Sequence, residues 1–256
     1  GSFVYDAMCV RWVSGMGKDQ YELPGYMRPQ DGRWNIFRKR SESHNTLAIN
    51  PDEKAQYKVY TEAKVEDYVS KSAGMKAVVN LSECLQERAE YARRGFMLTE
   101  NRTDFVIRDE FKVNKASDIY TYMYISCDYE IDGNKVTLID KNDPDKKIVV
   151  EYTSSVKGEV YVEDAAPLST APVVVGQLDN GGFKRIVYKL KGNGEVNITT
   201  LITPLIYKAN SVKVYDTPID TWTIPDGELQ PLPTLDSLVI GGVEYDVNSR
   251  YVKVPC

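Results

Sequence analysis

Apolar and polar residues alternate with a period of two through much of this chain. Ile119-Tyr120-Thr121-Tyr122-Met123-Tyr124-Ile125 and Val196-Asn197-Ile198-Thr199-Thr200-Leu201-Ile202 show it most clearly. That period puts successive side chains on opposite faces of a strand. Turn residues punctuate the runs at Asp132-Gly133-Asn134, Asn142-Asp143-Pro144, Asn180-Gly181-Gly182 and Gly192-Asn193-Gly194. The Asp-Gly and Asn-Gly pairs supply the positive φ that tight hairpins require. Gly192-Asn193-Gly194 reads as a hairpin turn rather than a nucleotide loop, because no phosphate-binding pattern surrounds it. Only 81–92 carries a helical period, with Leu81, Leu85 and Ala89 on one face and Ser82 as a candidate N-cap. Eighteen tyrosines suit pleated, half-buried surfaces. The pattern predicts an all-β protein, a large antiparallel β-sandwich (supersandwich) with a small C-terminal β appendage.

The sandwich is expected over 1–217. Pro218, Pro225, Pro231 and Pro233 cannot donate to a sheet ladder. They mark 218–233 as a linker or an edge crossing. In 234–256 two short strands flank Gly241-Gly242, and Tyr251-Val252-Lys253-Val254 reads as a third. Three strands cannot bury a core alone, so this tail packs on the sandwich or is a truncated module.

Composition narrows the function classes. The 256 residues are 42% hydrophobic and 27% charged, as in ordinary globular domains. A net charge of −5 argues against nucleic acid as a partner. No run of 18 apolar residues exists to span a membrane. Cys9, Cys84, Cys127 and Cys256 lack the spacing of a zinc ribbon or a redox motif. They read as free, buried thiols, with one disulfide left open.

Most of the unusual chemistry falls in the first fifty residues. Tyr21, Tyr26 and Trp34 carry flat apolar faces with a polar handle, which suits sugars. Arg33, Arg38 and Arg40 match planar anions bidentately. His44 is the only histidine. Each has a structural alternative: packing at the sandwich edge, a solvated strand face, or a histidine hydrogen-bonded at a strand edge. Asn45 and Thr46 read first as turn-forming residues. Asp6, Asp109 and Glu110 form no recognisable carboxylate pair, so glycoside hydrolysis has no support.

The order of motifs points further. The chain reads Gly-Ser-Phe-Val-Tyr-Asp-Ala at 1–7, Arg-Trp-Val-Ser-Gly-Met-Gly at 11–17 and Tyr-Glu-Leu-Pro-Gly-Tyr at 21–26. Arg-Trp-Asn-Ile-Phe-Arg-Lys-Arg follows at 33–40, and Ser-His-Asn-Thr-Leu-Ala-Ile-Asn at 43–50. This series resembles, in order and spacing, the start of the C-terminal β-sandwich of heparinase II/III-like polysaccharide lyases. Arg93-Arg94-Gly95 and Asp109-Glu110 resemble later strands of that family, and the match fades after about residue 165. The resemblance implies a loop, rather than a helix, leading into the Arg93-Arg94-Gly95 strand.

Such lyases join an (α/α) toroid, which carries the catalytic tyrosine, to this sandwich. They cleave uronic-acid-containing glycans, and the resemblance implies a periplasmic or extracellular bacterial setting. The family's H-x-H-x-D signature and the toroid are not within these 256 residues. The expectation is therefore a sandwich region that is inactive in isolation. The alternatives are a stand-alone carbohydrate-binding or accessory module, and a structural sandwich of unrelated origin. By resemblance, Tyr21, Tyr26, Arg33, Trp34, Arg38, His44 and Asn45 face an acidic polysaccharide. The family's histidine at the His44 position ligates zinc, together with a histidine of H-x-H-x-D and the aspartate of D-L-G. That aspartate position is Gly15 here, which leaves Asp6 or Asp19 as substitutes. No cofactor is expected on an incomplete ligand set. With the toroid outside this chain, Phe3, Trp12, Tyr26 and Trp34 are expected to form an apolar patch. The first strand is expected to be open to edge pairing, and self-association to follow.

Overall fold

The computed structural model describes residues 1–54, 57–99, 102–205, 217–227, 238–240 and 243–245. Strands β1 (Tyr5–Ala7) and β2 (Val10–Val13) form a hairpin through Met8 and Cys9, at φ 53° and 59°. Residues 14–46 then run without strand, through 3₁₀ turns at Pro29–Asp31, Arg33–Asn35, Phe37–Lys39 and Ser41–Ser43. Next come β3 (Leu47–Ile49), β4 (Lys64–Lys71), β5 (Gly74–Asn80) and a single helical turn α1 (Ser82–Leu85). They are followed by β6 (Tyr91–Thr99), β7 (Asp104–Ile125), β8 (Asp128–Asp132) and β9 (Lys135–Ile139). The sheet is completed by β10 (Lys147–Ser154), β11 (Gly158–Asp164) and β12 (Lys184–Pro204). A separate hairpin of β13 (Leu238–Ile240) and β14 (Val243–Tyr245) matches the first two strands expected of the tail. The third, at 251–254, lies outside the described residues.

Two long strands organise everything. β7 and β12 pair antiparallel over nearly their whole lengths, from Lys184 opposite Ile125 to Ile202 opposite Phe105. One half of this ribbon lies inside the order β4-β5-β6-β7-β12-β10-β9-β8. The other half is flanked by β3 on β7 and β11 on β12. The inward residues of the two halves share one core. Phe111, Val150 and Ile198 from the first pack in one cluster with Ile119, Ile186 and Leu190 from the second. Tyr152 of β10 stacks on Tyr188 of β12 at 4.9 Å. The ribbon therefore folds over on itself, and the two halves are the layers of the sandwich.

The fold-over falls at Gly192-Asn193-Gly194. This stretch is the β12 side of a β-bulge, with Asn193 opposite the three residues 114–116 of β7, and not the hairpin turn its composition predicts. Gly194 sits at φ +74°, and a Cβ on Gly192 would meet Val196 and Ile119 side-chain carbons at 2.7 and 2.8 Å. The same residue types serve a turn and a bulge, since both need positive φ and close approach.

Other expectations are adjusted. α1 is one turn long, shorter than the pattern over 81–92 allows. Leu81, Leu85 and Ala89 are buried on one face as read. Ser82 does not cap, because its hydroxyl is held by the backbone of Ala92 on β6. Of the cysteines, Cys84 is buried and free, Cys127 is half-buried and free, and Cys9 is exposed and disulfide-bonded.

Both outer faces of the sandwich are covered by irregular chain. Residues 14–46 lie over the β3-β7-β12-β11 layer, where Met16 and Phe37 meet Ala48, Tyr122, Tyr124 and Val187. The part of the proline-rich stretch that is described, 217–227, packs on the other layer instead of bridging free. Its Ile219, Trp222 and Ile224 bury Val78, Met97, Val106 and Leu201. This accounts for Gly95: a Cβ there would stand 2.7 Å from the Trp222 ring.

Candidate functional site

The polar residues of the first fifty positions separate into those that build and those that face outward. Arg38 builds. Its guanidinium donates to the Asn180 side chain at 2.9 Å and to the carbonyls of Met16, Lys18 and Asp179 at 2.9, 2.7 and 3.0 Å. Arg40 is buried likewise. It pairs with Glu42 and donates to the carbonyls of Trp34, Asp52, Glu53 and Lys54. The 3₁₀ turns and loops leave carbonyls without a ladder, and arginine has five donors with which to gather them. Both guanidinium groups use their donors on the chain itself.

Asn45 is a third tie, and it acts at long range rather than as a local turn. Its Nδ2 donates to Phe3 O at 2.7 Å and Ser14 O at 3.0 Å, and its Oδ1 accepts from Tyr124 N at 2.7 Å. Thr46 bonds the Tyr57 hydroxyl at 2.7 Å. Asn45→Ala is expected to cost about 2–3 kcal/mol, because one buried and two part-buried backbone groups lose their partner at once. A urea melt within about 0.5 kcal/mol of wild type would contradict that reading.

Trp34 and His44 converge. They line a cavity of about 300 Å³ with Lys39, Ser41, Lys58 and Tyr60. His44 is held by its Nδ1, 2.7 Å from the Arg40 carbonyl. A carbonyl can only accept, so Nδ1 carries the proton in the neutral ring and Nε2 keeps its lone pair. Nε2 has no partner among the described residues. The buried Ser41 hydroxyl in the same cavity also lacks one. Lys39 Nζ lies 4.4 Å from the centre of the Tyr26 ring, and Arg33 sits over Trp34 at 5.4 Å. The cavity is thus lined by two lysines, Lys39 and Lys58, and one indole.

Tyr57 also lines this cavity but is not a base. It donates to the Leu47 carbonyl at 3.1 Å, and burial pushes its hydroxyl up to about 12. Tyr26 is buried against Leu23 and Ile36 and touches the site only through Lys39. Tyr21, half-exposed, meets Tyr26 edge-on at 5.0 Å and takes Lys18 over its ring.

The expected apolar patch is not formed. Trp12 and Tyr26 are 0% and 3% exposed. Phe3 packs on Phe96 and Phe105 at 6.1 and 5.8 Å. β1 is paired with β2 on one edge, in a sheet of two strands. These aromatics found their partners within the sandwich, which leaves Trp34 at the cavity.

The residues present do not fit a zinc ion. Among the described residues no three His, Cys, Asp or Glu side chains gather as a ligand set. Asp6 is engaged by Arg11 at 2.8 and 2.9 Å on the exposed hairpin. Asp19 accepts from the Gln20 and Leu178 N–H groups at 2.8 and 2.9 Å. His44 alone offers one nitrogen, and tetrahedral zinc takes three or four protein ligands.

Sequence reasoning missed Lys39, Ser41, Lys58 and Tyr60. Lys39 was in view inside the arginine motif. Ser41 lies just beyond it, and the segment carrying Lys58 and Tyr60 has no pattern of its own.

No family model and no curated protein matches this chain by sequence. Solved structures do. The chain is similar to the heparan sulfate lyase HepC from Pedobacter heparinus, studied as a mutant, with 11% identity and a TM-score of 0.62. That match covers 98% of this chain and 37% of the lyase. A heparinase III, the BT4657 gene product, matches with 15% identity and a TM-score of 0.58, over 82% of this chain and 30% of that one. The chain spans about a third of the length of these structures. By its architecture, this chain has the fold of a part of the heparinase III lyases.

Proposed function

We propose that this chain is the sandwich region of a polysaccharide lyase that acts by β-elimination on uronic-acid-containing glycans. On this reading the His44 cavity is part of the wall that meets the sugar, and alone it binds without cleaving. The observation that carries this is the contact of His44 Nδ1 with the Arg40 carbonyl, which leaves the other ring nitrogen for a ligand. Its ring, with Nε2 unpartnered among the described residues, lines a cavity together with Lys39, Lys58 and Trp34. Two ammonium groups suit carboxylate or sulfate, and the indole suits the apolar face of a pyranose.

Elimination requires three things: neutralisation of the uronate carboxylate, a base for the proton alpha to it, and an acid for the leaving oxygen. Lys39 and Lys58 can share the first duty, and Nε2 can accept a hydrogen bond from the sugar or, once protonated, donate one. Tyr57 cannot be the base, since it is neutral and tied down, and on this reading the base is a tyrosine from outside the cavity. An (α/α) toroid packed on this face would supply it. A periplasmic or extracellular setting follows from the same reading.

Titration calorimetry with a heparan sulfate tetrasaccharide tests the site. Binding is expected to weaken about tenfold for Lys39→Ala, the loss of one charge-assisted contact. No unsaturated uronide should absorb after incubation of the polymer with the chain alone. Equal affinity for wild type and Lys39→Ala would place the anion elsewhere, and release of unsaturated uronide would show that a base is present.

A further inference from the structure

A second cavity among the described residues shares no residue with the His44 site. It is a groove of about 700 Å³ on the outer face of the β3-β7-β12-β11 layer. Asp118, Tyr120 and Tyr122 lie in its floor, at alternate positions of β7 and therefore on one face. Tyr120 and Tyr122 stack at 5.8 Å and 19°, and Tyr161 of β11 lines the same groove. Tyr122 is 2% exposed, yet its hydroxyl has no hydrogen-bond partner among the described residues, and the buried Asp118 Oδ1 has none either, only the Lys191 ammonium at 3.9 Å. Burial pushes the Tyr122 hydroxyl up, so it remains an O–H donor. Two polar atoms without a hydrogen bond, at either end of one aromatic row, need an explanation. Four residues of strand separate their Cα atoms by about 13 Å, roughly the length of two pyranose rings.

We infer that this groove is a second glycan site, for a neutral oligosaccharide whose ring faces lie on Tyr120 and Tyr161 and whose hydroxyls pair with Asp118 and Tyr122. The charges around it distinguish it from the His44 cavity. Asp52 and Glu163 are engaged by Arg88 and Arg185 at 2.8 and 2.6 Å. Glu87, Asp118 and Lys115 remain on the walls, with Lys191 3.9 Å from Asp118. Carboxylates therefore equal or outnumber cations there, which disfavours a sulfated or uronate polymer and suits hydroxyl donors. The groove does not depend on the lyase reading, and its test has separate arms.

The experiment is a heteronuclear NMR titration of the full chain with cellotetraose, and in parallel with a heparan sulfate tetrasaccharide. Cellotetraose up to about 10 mM is expected to move amide signals of 118–122 and 161–163, with a millimolar Kd. Tyr161→Ala on the edge strand and Asp118→Asn should each weaken that Kd at least about fivefold, and Lys39→Ala should leave it unchanged. No shift at these amides, or shifts there from the sulfated sugar alone, would overturn the proposal. A Tyr161→Ala variant that melts like wild type and binds cellotetraose equally well would do the same.

Discussion

Replacing Arg94 by Ala is expected to destabilise the chain by about 3–5 kcal/mol, the cost of stranding one partner of a buried ion pair. Arg94 is 2% exposed and grips Asp109 with two parallel bonds, Nε to Oδ1 at 2.6 Å and an Nη to Oδ2 at 2.8 Å. Its remaining donors reach the carbonyls of Gly1 at 2.7 Å and Asn45 at 3.1 Å. One side chain thus joins β6 and β7 to the first residue and to the turn beside His44. In Arg94→Ala the Asp109 carboxylate keeps its burial and loses its counter-charge. Replacing both, Arg94→Met with Asp109→Leu, should recover much of the loss, because two apolar groups need no counter-charge. Urea melts of the four species measure the coupling. A single-mutant loss below about 1 kcal/mol would mean that water reaches Asp109 and the pair is not desolvated.

Trp222→Ala should cost a similar amount, about 3–5 kcal/mol, as large buried aromatics do. The indole covers Gly95 and Val106 on the outer face of the sheet, and its N–H reaches Thr217 O at 3.2 Å. The segment is clipped on by charge. Glu110 accepts from Arg93 and Arg108 and from the Ile219 N–H, and Arg93 turns to Asp220 at 2.6 and 2.8 Å. Burial raises the Glu110 carboxyl, but the Arg108, Ile219 and Arg93 hydrogen bonds outweigh it and hold it below the usual range. The Arg93 hydrogen bonds likewise lower Asp220. A carboxyl depressed in the folded state adds stability above its unfolded pKa and loses it as pH falls through its folded one. The 217–227 clip should therefore loosen on the acid side of the carboxylate range. Amide exchange of Ile219 and Trp222 should quicken there before the β7 and β12 amides do. Simultaneous loss of protection in all of them would show that the segment has no independent opening.

The sheet was legible because alternation survives wherever one face is buried, as at 119–125. The motif series over 1–50 was legible as order and spacing. The role of each polar side chain within it was not. Arg38 and Arg40 carry the chemistry of an anion site and spend it on carbonyls, a choice set by loops that meet only in the folded chain. His44 could be singled out by its uniqueness, but its tautomer depends on one carbonyl four residues back. Gly192-Asn193-Gly194 looked like a turn because its local requirement is the same as a bulge's, and only pairing with β7 decides. In 217–227 the prolines hid the signal that mattered, the apolar Ile219, Trp222 and Ile224 among them.

The shared ribbon also sets an order of events during synthesis. β7 lies in the middle of the chain, and its full-length partner β12 emerges some 60 residues after β7 ends. Until then β7 offers a row of unpaired backbone groups along the edge that β12 will fill. The hazard for this protein therefore falls before folding is complete. A nascent chain stalled short of residue 184 would be its most aggregation-prone species.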